Sequence, residues 1–206
     1  MSLSVDELRT RLMAALKTMP ASAEELRELD AALGDGDLGL TVKAGSLAAA
    51  EAIEKLPTDA ALSDLLVAAG KAFSTANPST FGALVGGGLL AGAKTVTGQR
   101  EASRAEALAV GRAVAARIAG RGKSQLGDKT VLDALVPSLD TLEAQEAGAG
   151  ERALIDAMIA TAAQQVSATA ALQSKKGRAA WVQERSIGHP DPGATAWLRF
   201  LEAWRG

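Results

Sequence analysis

The chain has 206 residues, 48% of them apolar but only 3% aromatic, so its core must be built from Ala, Leu and Val, a mix that favours helices over strands. A formal net charge of -2 without a dominant Lys/Arg run argues against a nucleic-acid or membrane-surface footprint, and the lack of cysteine excludes disulfides, thiolate metal sites and a Cys nucleophile. The acidic N-terminus, Met1 to Glu7, has no basic region backed by an apolar stretch, and the longest apolar run, Phe81 to Ala93, is too short to span a bilayer. A soluble, cytoplasmic, single-domain protein is expected.

In chain order, Ser4-Val5-Asp6-Glu7 reads as a capping box opening a helix, with Val5, Leu8, Leu12, Leu16 and Met19 on one face until Pro20 breaks it. Ser22 to Glu25 reads as a second capping box, with Leu26, Leu29 and Leu33 continuing to Gly34. A third helix is expected from Gly39 towards Leu56, and a fourth from Asp59 to Ala76. Asn77-Pro78 reads as a cap followed by a first-turn proline, opening a helix to about Val96. Gly86-Gly87-Gly88 inside that helix would each cost about 1 kcal/mol relative to Ala, which implies close backbone packing or a break. Ser103 to Glu106 opens another helix, with Leu108, Val114 and Ile118 inward. A glycine-containing link (Gly120, Gly122, Gly127) leads to a segment from Thr130 to Gln145, kinked or restarted at Pro137. Gly148 and Gly150 precede a long run to Ser174. Ser186 to Gly193 reads as an irregular loop, and a short helix through Trp197, Leu201 and Trp204 closes the chain. The pattern amounts to about eight helices, no strand and no internal repeat.

The segment Leu29-Asp30-Ala31-Ala32-Leu33-Gly34-Asp35-Gly36-Asp37-Leu38-Gly39 carries the most chemistry. Asp30 falls in the last turn of the second helix, while Asp35 and Asp37 fall on the glycine-rich turn into the third. Three carboxylates so close repel one another unless a cation or solvent compensates, and a hard divalent ion is the natural partner of oxygen ligands. Asp35 and Asp37 as ordinary solvated turn residues, or Asp37 as a helix cap, remain the alternatives. A calcium loop counted from Asp35 fails, because Leu40 and Ser46 stand where Gly and Glu are required.

Gly122-Lys123-Ser124 is not a P-loop, since Arg117 replaces the earlier glycine and no strand precedes it. The helix start after Asn77-Pro78 is a better cradle for phosphate. There Ser79 and Thr80 sit among unpaired N–H groups at the positive end of a helix, although many such starts bind nothing. Lys175-Lys176-Gly177-Arg178 is a solvated helix end or an Arg fork for phosphate. His189, the single histidine, is read as structural: a lone His builds no metal site, and nucleophilic Ser–His schemes have little support.

Taken together, these segments resemble the L-type (Dak2-like) component of dihydroxyacetone kinases. The likeness rests on Leu29 to Asp37, then Gly127-Asp128-Lys129-Thr130-Val131-Leu132-Asp133-Ala134-Leu135, then Lys176 to Ala180 and Glu184-Arg185-Ser186-Ile187-Gly188-His189-Pro190-Asp191-Pro192-Gly193-Ala194. The last block also separates the chain from the related fatty-acid-kinase nucleotide domain. The resemblance implies an all-α closed barrel of antiparallel helices with ATP or ADP at one end and two magnesium ions on Asp30, Asp35 and Asp37. It carries nucleotide contacts over to Leu38, Gly39, Leu40 and Thr41, to Ser79 and Thr80, to Gly122, to Thr130 and Val131, to Arg178, and to Asp191, Pro192 and Gly193. Three departures stand out: Leu38 replaces the usual His, Thr41-Val42 replaces an Asn-Met pair, and the Ser-Gly phosphate loop is altered to Asn77-Pro78-Ser79-Thr80-Phe81-Gly82. The resemblance further implies a kinase subunit that is silent alone and phosphorylates a short ketose held through a histidine of a K-type partner. Two other readings stay open: an ADP-coenzyme subunit recharged by a phosphotransferase-system protein, and a non-catalytic nucleotide-binding module.

Overall fold

The computed structural model describes residues 2–146 and 148–206. Among them are nine α-helices: α1 (Val5–Thr18), α2 (Ala23–Leu33), α3 (Leu38–Glu54), α4 (Leu62–Ala76), α5 (Thr80–Ala93), α6 (Arg104–Gly122), α7 (Leu132–Ala144), α8 (Glu151–Thr169) and α9 (Pro192–Arg205). From α3 to α9 each helix packs on the next, and α1 packs on both α3 and α9. The ring therefore closes with eight helices, and α2 lies outside it against α3 and α9.

Where the local chemistry was strong, the elements follow it. Ser4 and Ser103 both form reciprocal capping boxes, with Glu7 and Glu106. Two strands too short to register as a pattern, β1 (Ser2–Ser4) and β2 (Glu101–Ser103), pair antiparallel just before those caps, contrary to the strand-free expectation. Glycines 86, 88 and 92 leave α5 unbroken and let it approach its neighbours. A Cβ at Gly86 would lie 2.5 Å from the Gly70 carbonyl, and one at Gly88 would lie 2.9 Å from the Val114 side chain. The α7 helix likewise runs through Pro137.

Several boundaries differ from the expected ones. Ser22 is not a capping residue: it ends a 3-10 turn, Met19–Ser22, that carries the chain from α1 into α2 without an extended residue, so its hydroxyl has no orphan N–H to meet. Asn77 does not cap α5. The following proline holds Asn77 extended (φ -144, ψ 110), and Ser79 takes the cap, its Oγ accepting from the Gly82 N–H. The α4 helix begins at Leu62 rather than Asp59, and α8 ends at Thr169 rather than Ser174. Part of the tail is a 3-10 segment, Arg178–Ser186, bent at Gln183 (φ 50).

Two apolar clusters fill the halves of the ring, one centred on α3 to α5 and the other on α6 to α9. With only three Trp, three Phe and no Tyr, the short side chains do not fill its middle. A cavity of about 490 Å³ remains there, lined by residues such as Leu12, Leu65, Phe73, Leu135, Met158 and Trp197. A third cluster, Met19, Leu26, Leu38, Val42 and Ala196, joins α2, α3 and α9. It forms the floor beneath the acidic turn. No helix among the described residues is long and apolar enough to cross a membrane.

Candidate functional site

The acidic turn is held from below and from one side. Leu38 is buried in the third cluster, and Gly39 is pressed so closely against α2 that a Cβ there would lie 2.0 Å from the Ala23 carbonyl oxygen. Between the two helices Gly36 takes φ 74, a conformation that most side chains resist. The turn thus carries Asp35 and Asp37 back over the end of α2, where Asp30 sits. One carboxylate oxygen from each of Asp30, Asp35 and Asp37 lies within 4.8 Å of the others.

Little among the described residues satisfies these oxygens. Asp30 accepts from the Leu38 N–H at 3.2 Å, so Asp30, not Asp37, caps α3. The Asp37 carboxyl is raised above its ordinary range, first by partial burial and then by repulsion from Asp35 and Asp30, with Arg178 pulling the other way. Arg178 supplies the only cation in contact among the described residues, 2.8 Å from Asp35 and 3.7 Å from Asp37. All-oxygen donors, mutual repulsion and a guanidinium already seated on the cluster are the properties of a hard-cation site, and magnesium fits them.

Beside the turn, the starts of α3 and α5 are tied together. The buried Thr41 hydroxyl donates to Ser79 Oγ at 3.1 Å and accepts from the Asn77 amide at 2.8 Å. That leaves Thr80 exposed in the first turn of α5, where N–H groups have no intrahelical partners. Leu40, 59% exposed, projects into solvent.

The remaining expected residues gather around the starts of α7 and α9. Asp133 accepts from the Gly127 and Thr130 N–H groups at 2.6 and 2.7 Å, folding the turn before α7 so that Val131 lies against Gly193. Asp191 is buried and caps α9, accepting from Ala194 at 2.7 Å, and burial pushes its carboxyl up to about 7. Its carboxylate is occupied by the cap, and Pro192 is buried too, which leaves Gly193 as the accessible part of that loop. Gly122 ends α6 beside Ser124 and Leu84, away from these contacts. His189 is exposed and forms no side-chain hydrogen bond among those described.

Two buried charges were not expected as functional residues. Lys129 and Asp128, 2% and 4% exposed, hold the loop that carries Arg178. Their signal was present only as an unbroken Gly-Asp-Lys-Thr block, with nothing local to show that either side chain is buried.

An eight-helix ring carries a carboxylate triad at the mouth of one helix pair, with the N-terminus of another helix beside it: an all-α frame that sets oxygen donors next to unpaired N–H groups. The DAK2 domain model matches residues 32–206, and the chain belongs to that family. It is 30% identical over 205 residues to the ADP-binding subunit DhaL of the PEP-dependent dihydroxyacetone kinase of Escherichia coli, covering 98% of this chain and 96% of that one. It is also 40% identical over 190 residues to a D-erythrulose kinase of Mycolicibacterium smegmatis, covering 89% of this chain but only 32% of the relative. Among solved structures, the dihydroxyacetone kinase of C. freundii with AMP-PNP and Mg2+ shares the fold at a TM-score of 0.73 and 24% identity, over 95% of this chain and 32% of that one.

Proposed function

We propose that the chain is the nucleotide-bearing subunit of a short-ketose kinase, binding ADP or ATP through magnesium held by Asp30, Asp35 and Asp37. The observation that carries this reading is the convergence of three under-satisfied carboxylates within 4.8 Å. Bound magnesium would neutralise the phosphate oxygens and the charge that develops as the phosphoryl group leaves. The chain's own residues do the rest. The first turn of α5, with Thr80 open, offers N–H donors to a phosphate, and Thr41 fixes that turn relative to the acidic one. Arg178, released when its carboxylates meet a stronger cation, is placed to fork onto phosphate oxygens. Val131 and Gly193 would border the nucleoside end. Leu40 and Leu38 offer no polar side chain to the phosphates, so magnesium on the triad and Arg178 would supply the positive charge, beside the first-turn N–H groups of α3.

The sugar is read as held by a separate K-type subunit, as the relatives' designation as subunits suggests. The relatives matched over nearly their whole length are named ADP-binding subunits of PEP-dependent kinases. They favour the version in which ADP stays bound and a phosphotransferase-system protein recharges it. The chain spans about a third of the length of the erythrulose kinases, whose names specify no such donor, and direct use of ATP is the second version.

The test is reconstitution. Chain, K-type partner and ketose receive either Mg-ATP or phosphoenolpyruvate with the phosphotransferase proteins, and sugar phosphate is measured. Product in one arm identifies the donor, and ADP retained through dialysis supports the coenzyme version. Absence of product in both arms, together with no magnesium-dependent nucleotide binding by calorimetry, sinks the reading.

A further inference from the structure

Between Leu172 and Ile187 the chain leaves the bundle and returns, carrying Arg178 over the acidic turn. Only Ser174 and Ser186 are buried in this stretch, and they meet at its base, where the Ser174 N–H donates to Ser186 Oγ at 2.9 Å. No residue of the stretch belongs to an apolar cluster among the described residues, so hydrophobic burial does not hold it. Polar contacts do, one of them from the Gly188 N–H to the Ala170 carbonyl at 2.8 Å and the others from a single turn. The Asp128 carbonyl accepts from the Lys175 N–H at 3.1 Å, and its carboxylate lies 3.7 and 3.5 Å from the ammonium groups of Lys175 and Lys176. Lys129 Nζ donates to the Leu172 carbonyl at 3.0 Å and to the Ser186 carbonyl at 2.5 Å, gripping both feet of the loop. Lys129 is buried and held at φ 62, a costly conformation and environment for a lysine.

We propose that Lys129, seconded by Asp128, is a positioning residue that clasps the feet of the 172–187 loop and so keeps Arg178 over the phosphate site. The role of Arg178 rests on the magnesium–nucleotide reading; the clasp itself does not. The logic is one of competing anchors. The loop's other attachment, from Arg178 to Asp35 and Asp37, is the one that a cation on the triad displaces. Once that anchor is given up, the loop keeps only its packing against α2 and the grip at its base, and there a charged donor to two carbonyls is stronger than a neutral one.

The experiment has two arms. Hydrogen exchange on the nucleotide-free chain compares wild type with Lys129→Met: amides from Ser174 to Gly188 should exchange about tenfold faster while α3 to α6 keep their protection. Unchanged exchange in that stretch overturns the clasp. In the second arm, calorimetry with Mg-ADP compares Lys129→Met, Arg178→Ala and the double variant. Each single change should weaken affinity about tenfold, and the double variant should be no weaker than Arg178→Ala, because Lys129 acts through it. Additive losses, or full affinity in Lys129→Met, overturn the positioning role. If wild type binds no Mg-ADP, that role falls with the parent reading, and the exchange arm still decides the clasp. Should Lys129→Met fail to fold by circular dichroism, Lys129→Asn, which tolerates the positive φ but is too short to bridge the Leu172 and Ser186 carbonyls, takes its place in both arms with the same expectations.

Discussion

Two regions of this molecule place aspartates at helix starts, and they treat them in opposite ways. Before α7 and α9, Asp133 and Asp191 are buried, each on its own turn, and engaged as caps: Asp133 takes two backbone N–H groups, and Asp191 takes the Ala194 N–H. Before α3, Asp30, Asp35 and Asp37 share one backbone donor and one arginine among the described contacts, and they remain accessible. The first group organises the chain. The second has oxygen lone pairs left over, and leftover acceptors beside like charges are what a cation can use. Residue type does not separate the two regions; burial and the crowding of like charges do.

The contrast is tested most sharply at the triad. Asp35→Asn, and separately Asp37→Asn, should lower magnesium-dependent ADP affinity and phosphotransfer on the order of a hundredfold, by calorimetry and product assay. Their melting temperatures should hold or rise, because repulsion is relieved; a large fall in stability with binding intact would place these residues with the structural group.

The next effect in size concerns the seat of the triad. Gly39→Ala drives a methyl into the Ala23 carbonyl, and backbone must move to admit it. Overpacking of this kind costs about 3 kcal/mol, which denaturant unfolding would register. An unchanged midpoint would mean that the α2–α3 contact is looser than described.

Asp191 provides a test by pH. In the folded chain its carboxyl keeps a proton up to about 7, against an ordinary value of 3.8. Between those values the folded state binds more protons than the unfolded one. The stability from this group is therefore complete below pH 3.8 and is lost as pH rises towards 7. Asp191→Asn keeps the capping oxygen and removes the charge. Variant and wild type should melt together near pH 4 and separate by roughly 5 °C at pH 8, the variant higher. The same substitution should leave Mg-ADP affinity nearly unchanged if the carboxylate serves only the cap. Smallest of all, Thr41→Val removes two side-chain hydrogen bonds between α3 and α5 and should cost about 1–2 kcal/mol, with a modest loss of nucleotide affinity.

Sequence and structure agree best where an interaction spans only a few residues. Both serine–glutamate capping boxes, the end of α2 and the helical faces of the core were legible because each depends on contacts three or four residues apart. They failed where two local rules competed: Asn77 is a good cap in isolation, but the proline after it forces an extended conformation, and the cap passes to Ser79.

The crowding of Asp30, Asp35 and Asp37 was likewise set by the sequence alone, since one glycine-rich turn cannot keep them apart. Only the closed ring decided which cation faces them, which hydroxyls brace the turn and which acids are used up as caps. Arg178, Ser79 and Lys129 reach their partners across long stretches of chain, 57 residues for Lys129 and Ser186 and 38 for Thr41 and Ser79. Burial, which turns an ordinary lysine into a clasp and an ordinary aspartate into a proton-holding cap, is a property of the packed helices around a residue, and no neighbour in sequence encodes it.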